Sequence, residues 1–362
     1  MKLLAPSADG PVYLDCAATS PIEPEVLDEM SRIWQEEPGN AGSRTHEYGL
    51  RAKKLLERAR EQVASVVNAR PDEVIFTSGA TESNNIAILG LAGHGERTER
   101  RHVVSTAIEH KAVLEPLEHL RKCGFDVTLV NPNEAGTVSP DAIVDAVRQD
   151  TLLVSVMQTN NETGICQPID DIAAVLADHE TWLHVDAAQG FGKELSALRN
   201  ARVDFISISS HKIFGPVGVG ALVTRRRGFR KPPLSPIHYG GGQERGLRHG
   251  TLPVPLIAGL GVAAQIAERD HGARRNACLA VRAALLEGLA GLEPVFVGDQ
   301  SLAIPNIANL AITGVDTEAL MVALKDLIAI SNGSACTSQS YEPSHVLKAM
   351  QLPQPVIQGA VR

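Results

Sequence analysis

Seven short apolar runs, most separated from the next by an amphipathic stretch, constrain the fold of this chain more than any other feature. They cover residues 73–77, 102–105, 126–130, 151–157, 181–185, 203–208 and 219–224. Residues 111–122, 140–148 and 170–178 between them carry helical patterns. Repeated β-α-β order predicts a mainly parallel sheet between layers of helices, an α/β fold. Residues 45–68 place Leu50, Leu55, Ala59, Val63 and Val66 at helical spacing, which predicts core packing. Residues 230–255 are loop-like, with Pro232-Pro233, Pro236, Gly240-Gly241-Gly242, Pro253 and Pro255. Beyond them the pattern changes to helices over 256–269 and 273–289, short strands, and a last helix near 343–350. A chain of 362 residues with that shift predicts a large domain and a smaller one.

Charge and cysteine usage narrow the function classes. The formal net charge of −8 argues against direct nucleic-acid binding, which needs a basic face. The run Arg225-Arg226-Arg227, with Arg230 and Lys231, reads first as a solvated loop and second as a docking patch for an acidic partner. Five cysteines without a C-x-x-C pair argue against a disulfide framework or a zinc site and for a reducing compartment. The opening residues break before a signal-like apolar core forms, and no apolar run approaches the ~20 residues that span a bilayer. A cytoplasmic protein with no membrane association is expected.

Polar residues collect where the apolar runs end. Lys212 follows the run at 203–208, where ligands of open α/β sheets sit, and lysine is the residue that condenses with an aldehyde cofactor. Asp186 ends another run and suits a pyridinium partner, although as a bare pattern it is more often an N-cap for the next helix. The segment 77–85 (TSGATESNN) opens a helix and offers either an anion site or a capping box. Asn160-Asn161 could donate to a phenolic oxygen or form a plain turn, and His110 could stack on a ring or serve as a loop histidine. An anion cup, a histidine, an asparagine, an aspartate and a lysine on one sheet edge together supply what pyridoxal phosphate needs.

In order and spacing, these segments resemble the NifS/IscS-type cysteine desulfurases, within the class V aminotransferase group of fold-type I pyridoxal-phosphate enzymes. The carrying residues are 13–19 (YLDCAAT), 76–84 (FTSGATESN), 107–110 (AIEH), 160–164 (NNETG), 184–189 (HVDAAQ) and 210–212 (SHK). Residues 240–246 (GGGQERG), Gly250-Thr251 and 332–338 (NGSACTS) complete them. The loop-like stretch at 230–255 and the change of pattern after it set the boundary of a large domain at 15–255. A smaller α+β domain, 1–14 with 256–362, is expected to carry Cys336 on the stretch 331–340, which is small, polar and Gly-containing and reads as a mobile loop.

The resemblance also assigns roles. Lys212 would carry the cofactor, Asp186 would pair its ring nitrogen, and Asn161 with Gln189 would contact its phenolic oxygen. His110 would stack on the ring and move protons. Ala80, Thr81, Ser209 and His211 would bind the phosphate, and Thr251 would reach the phosphate in the other subunit of a homodimer. Asn161 and Arg362 would hold the substrate, L-cysteine. Cys336 would take its sulfur as a persulfide, release alanine, and pass the sulfur to an acceptor protein for iron–sulfur assembly, tRNA thiolation or DNA phosphorothioation. No metal site is expected, with Cys336 alone left open to transient iron–sulfur ligation. Asn332 and His249 depart from the family's usual small residues, and the chain is expected to continue past Arg362. The competing readings are a class V aminotransferase or selenocysteine lyase, which would not depend on Cys336, and a catalytically idle docking dimer.

Overall fold

The computed structural model describes residues 10–332 and 343–362. Its strands, in chain order, begin with β1 (Val12–Tyr13), β2 (Val74–Thr77), β3 (His102–Thr106) and β4 (Asp126–Val130). They continue with β5 (Thr151–Met157), β6 (Trp182–Asp186), β7 (Phe205–Ser209) and β8 (Gly220–Thr224). The last are β9 (Val295–Phe296), β10 (Leu310–Ala311), β11 (Ile328–Ala329) and β12 (Ala360–Val361). Strands β2 to β8 are the seven apolar runs, and they form one sheet in the order β2-β8-β7-β6-β5-β3-β4. Pairing from β4 across to β7 is parallel, and β8 runs antiparallel to both of its neighbours. Strand order reverses between β3 and β5, and the carboxyl ends beside such a switch point are where open α/β sheets bind ligands.

Alternation along the strands sorts their side chains onto two faces. Val74, Phe76, Val154, Val156, Ala221 and Val223 join one buried cluster with helices Pro24–Glu36, Glu47–Val66 and Val254–Arg269. Ile75, Leu153 and Leu222 point the other way, against helices Ala80–Leu89 and Lys111–Lys122. At ~25 cal/mol per Å² of buried apolar surface, these two layers dominate the stability of the fold. A polar ladder crosses the sheet interior as well. Ser155 Oγ and Ser207 Oγ flank the buried His184 ring at 2.8 and 3.0 Å, and Ser105 Oγ donates to Ser155 O. Burial pushes the His184 imidazole down to about 3, so the ladder is neutral and fixes register without a buried charge.

Three local expectations change. Leu50 is 48% exposed, and the buried stripe of its helix runs through Ala52, Leu56, Ala59, Val63 and Val66 instead. Arg225 is buried rather than solvated. Its guanidinium donates to Leu198 O at 2.7 Å and Val203 O at 3.1 Å, as well as to Val67 O, while Arg226 pairs with Asp72 and Arg227 with Asp204. Arg225 is an internal strut, and Arg226 and Arg227 are half-buried ion-pair partners rather than free solvated charges. Helix Val254–Arg269 lies beyond the composition break, yet Ile257, Leu260 and Ile266 pack into the same core as the sheet. The change in packing comes after Arg269, at helix His271–Leu289, which has no buried residue. Smaller sheets follow, β12-β10-β9 antiparallel and β1 parallel to β11.

Candidate active site

The carboxyl ends of β2, β3, β5, β6 and β7 bring most of the candidate residues to one edge. Lys212 ends the short turn Ser210–Lys212 after β7, and its Nζ donates to Ala18 O at 2.7 Å and to Ala17 O. The segment bearing those carbonyls is pinned to the turn. Ser20 Oγ donates to His211 O at 2.6 Å, and His211 Nδ1 lies 3.0 Å from Thr19 Oγ1. Burial, reinforced by the charges of Lys212 and Lys193, holds the His211 imidazole down at about 4, so it stays neutral near pH 7.

Asp186 is the last residue of β6 and is buried. Its Oδ2 accepts from Asn84 Nδ2 at 2.7 Å and its Oδ1 from Ala188 N at 3.0 Å, so both oxygens are fixed. Asn84 lies on the helix that opens at Ala80, so helix and strand orient the carboxylate together. Gln189 is buried, with Nε2 donating to Ala17 O at 2.8 Å and Oε1 lacking a protein partner. His110 caps helix Lys111–Lys122. Its Nδ1 accepts from Ala112 N at 3.0 Å, which leaves Nε2 as the ring's N–H. Asn160 spends its Oδ1 on the turn, accepting from Glu162 N and Thr163 N. Asn161, beside it, is half-buried.

The anion cup is built on glycine. Gly79, with φ 152°, precedes helix Ala80–Leu89, and a Cβ added there would meet nothing within 4 Å, so the cup's mouth is open. A Cβ at Gly220 would come 2.6 Å from Gly79 Cα, so only glycine lets β8 support the cup this closely. Ala80 and Thr81 begin the helix, where free N–H groups face an anion, and Ser209 ends β7 two strands away.

Arg362 comes from the far end of the chain. Its Nη1 donates to Asn161 O at 2.7 Å and its Nη2 to Asp15 Oδ1 at 2.7 Å, with Nε buried and unpartnered. Backbone bonds between Arg362 and Ser331 hold it beside the segment that leads toward Cys336. Cys336 itself lies outside the described residues. Thr251 is exposed and lines a cavity of about 520 Å³ with Asn40, Arg60 and Glu244.

Sequence reasoning missed two buried acids. Glu109 Oε1 accepts from Thr106 Oγ1 at 2.7 Å and Met157 N at 2.8 Å, joining β3 to β5, while Oε2 has no partner. Glu162 accepts from Ser344 Oγ. Burial raises both carboxyls, Glu109 to about 8 with a smaller push from Asp186. An acid directly after an apolar strand, flanked by Ile108, was the available signal.

The folded state therefore keeps a proton on Glu109 that the unfolded chain releases above its ordinary value of 4.5. Stability falls as pH rises from there to about 8 and levels off beyond. Glu109→Gln is expected to remove that decline, so its denaturation midpoint should gain on wild type between about pH 5 and pH 8. Parallel curves for the two proteins would mean that Glu109 is ionised when folded.

A mainly parallel sheet whose strand ends carry a lysine, a carboxylate and an anion cup defines a fold-type I pyridoxal-phosphate enzyme. The sequence profile described as aminotransferase class-V matches residues 12–362, and the chain belongs to that family. Within the family it falls with the NifS/IscS-type cysteine desulfurases. It is 44% identical over 353 residues to the cysteine desulfurase IscS of Methylococcus capsulatus, covering 97% of this chain and 87% of that one. The crystal structure of DndA from Streptomyces lividans superposes with a TM-score of 0.84 at 52% identity, covering 97% and 98% of the two chains. SspA in complex with cysteine superposes at 0.81 with 34% identity, covering 97% of each. The residues present fit the cofactor of this family. An open glycine cup, a carboxylate with both oxygens fixed and the orphaned Gln189 Oε1 answer to a phosphate, a ring nitrogen and a polar ring substituent. No helix among the described residues is long and apolar enough to cross a membrane.

Proposed function

We propose that the chain converts L-cysteine to L-alanine, using pyridoxal 5′-phosphate at this sheet edge and Cys336 as the carrier of the released sulfur. One convergence carries the reading: Lys212, the fixed Asp186 and the glycine cup leave one sheet edge, and Arg362 is delivered to Asn161 beside them. The SspA structure, which contains cysteine, supports the choice of substrate.

When bound, the cofactor supplies an electron-withdrawing ring that acidifies the α-proton of an amino acid. Lys212 Nζ anchors its aldehyde carbon and moves the α-proton. Asp186, oriented by Asn84 and Ala188, holds the proton on the ring nitrogen, and Gln189 and Asn161 orient the phenolic oxygen. Ala80, Thr81, Ser209 and His211 hold the phosphate, His211 as a neutral hydrogen-bonding group. His110, with its proton on Nε2, stacks over the ring and moves protons there. The Arg362 guanidinium holds the substrate carboxylate. The Cys336 thiolate attacks the substrate sulfur, forming an S–S bond as the C–S bond breaks. The electron pair of that C–S bond stays with the carbon fragment, which takes a proton at Cβ, regains a proton at Cα from Lys212 and leaves as alanine. The persulfide then passes to a sulfur-acceptor protein in a reducing, cytoplasmic setting.

Alanine is expected from L-cysteine and a thiol reductant with no 2-oxo acid present. An aminotransferase needs such an acceptor to turn over, so alanine formation that depends on one would contradict the proposal. Thr251, exposed in its own chain, serves the phosphate of a second copy in this reading, which makes the enzyme a homodimer. Sedimentation of the holoenzyme should give a dimer, and an active monomer would remove that role.

A further inference from the structure

Two ion pairs fasten the Gly-rich loop at residues 240–251, one to helix Glu47–Val66 and strand β2, the other to the helix turn that follows β2. In the first, Glu244 has a fully buried side chain and accepts from Arg60 Nη1 at 2.8 Å and from Phe76 N at 2.7 Å. It thereby closes the outer edge of β2. In the second, Arg248 Nε donates to Glu82 Oε1 at 2.9 Å, and the other oxygen of Glu82 accepts from Ser78 N at 2.5 Å.

The second pair sets an electrostatic problem. Glu82 is the third residue of helix Ala80–Leu89, so its carboxylate lies within one turn of the cup at residues 78–81. A negative charge there repels any anion the cup would take, and its side chain is only 12% exposed, so water screens it poorly. Burial alone would raise the carboxyl. The bonds from Arg248 and Ser78 outweigh it and leave Glu82 below the ordinary carboxylate range, so the charge is present at neutral pH. Ordinary capping explains why an acid sits at this position. It does not explain why an arginine 166 residues away, itself 21% exposed, is bonded to it.

We propose that Arg248 and Glu82 form a charge lock for the anion cup. Arg248 cancels the Glu82 carboxylate and lets that carboxylate order the Ser78 turn without opposing a bound phosphate. The lock also couples the loop that ends at Thr251 to the occupancy of the cup. Arg248 and Glu82 are positioning residues in this scheme. The inference rests on reading residues 78–81 as the phosphate cup.

The test compares two ligands titrated into apo dimer, pyridoxal 5′-phosphate and phosphate-free pyridoxal, each followed by absorbance. Both can condense with Lys212, so their affinity ratio isolates the phosphate. Arg248→Met is expected to weaken pyridoxal 5′-phosphate binding by about tenfold or more and pyridoxal by less than about twofold. Glu82→Gln in the Arg248→Met background should return phosphate-ligand affinity to within about threefold of wild type, because the unbalanced charge is gone. Arg248→Lys keeps the charge without the Nε geometry and should show a smaller loss of the same kind, which covers the case of an unfolded Met variant. Three results would overturn the lock: unchanged phosphate-ligand affinity in Arg248→Met, equal losses for both ligands, or a double variant as weak as Arg248→Met. Wild type that binds the two ligands equally well would instead remove the phosphate-cup reading itself.

Discussion

Lys212→Ala is expected to abolish the absorbance band of covalently held cofactor and to cut alanine formation by at least about a thousandfold, because it removes both the anchor and the α-proton carrier. The variant should still fold. The lost contacts include hydrogen bonds to Ala17 O and Ala18 O, each of which contributes about 1 kcal/mol. The cup, Asp186 and Gln189 are untouched, so pyridoxal phosphate should still bind reversibly. One other lysine competes for the role. Burial, and after it the charge of Lys212, lowers the Lys193 amine to about 8, which leaves a share of it unprotonated and nucleophilic near neutral pH. Borohydride reduction of the holoenzyme followed by peptide mapping separates them. Label is expected on the Lys212 peptide, and label on Lys193 would reassign the anchor.

Cys336→Ser is expected to leave cofactor binding intact and to reduce alanine release to near zero. A hydroxyl is a far weaker nucleophile toward sulfur than a thiolate. The other cysteines offer no substitute. Burial raises the thiols of Cys16 and Cys278 and pushes Cys166 up to about 11, so all three favour the unreactive protonated form. Cys123 is exposed, but it caps the carboxyl end of helix Lys111–Lys122. That helix starts at the site and carries Cys123 roughly 18 Å away at 1.5 Å per residue, onto a terminus whose dipole disfavours a thiolate.

The sheet was legible because its information is local. Each of the seven runs is short, apolar and bounded by turn residues, and each became a strand within one or two residues of its expected ends. The strand-end residues were legible for the same reason, since a lysine or aspartate that ends a buried run must emerge at the sheet edge. What escaped was non-local. Asn84 meets Asp186 across 102 residues, and Arg248 meets Glu82 across 166, distances over which spacing carries no pairing information. Leu50 obeyed the helical period yet faces solvent, because periodicity fixes a stripe's repeat and not which neighbour covers it. The arginine run misled for a similar reason: Arg225 is charged, but backbone carbonyls of Val67, Leu198 and Val203 converge on it from two parts of the chain. Arg362 was assigned to the substrate by resemblance alone, and its bonds to Asn161 O and Asp15, across 201 and 347 residues, were not legible in spacing.

The central claim is that sulfur leaves L-cysteine onto Cys336, and mass mapping tests it most directly. Holoenzyme is incubated with L-cysteine without reductant, quenched by alkylation and digested. The peptide containing Cys336 is expected to gain one sulfur, about 32 Da, in proportion to the alanine released. The Cys336→Ser protein is expected to show no added sulfur on any peptide. Added sulfur on Cys16, Cys123, Cys166 or Cys278 in wild type, or undiminished alanine release from the serine variant, would contradict the account.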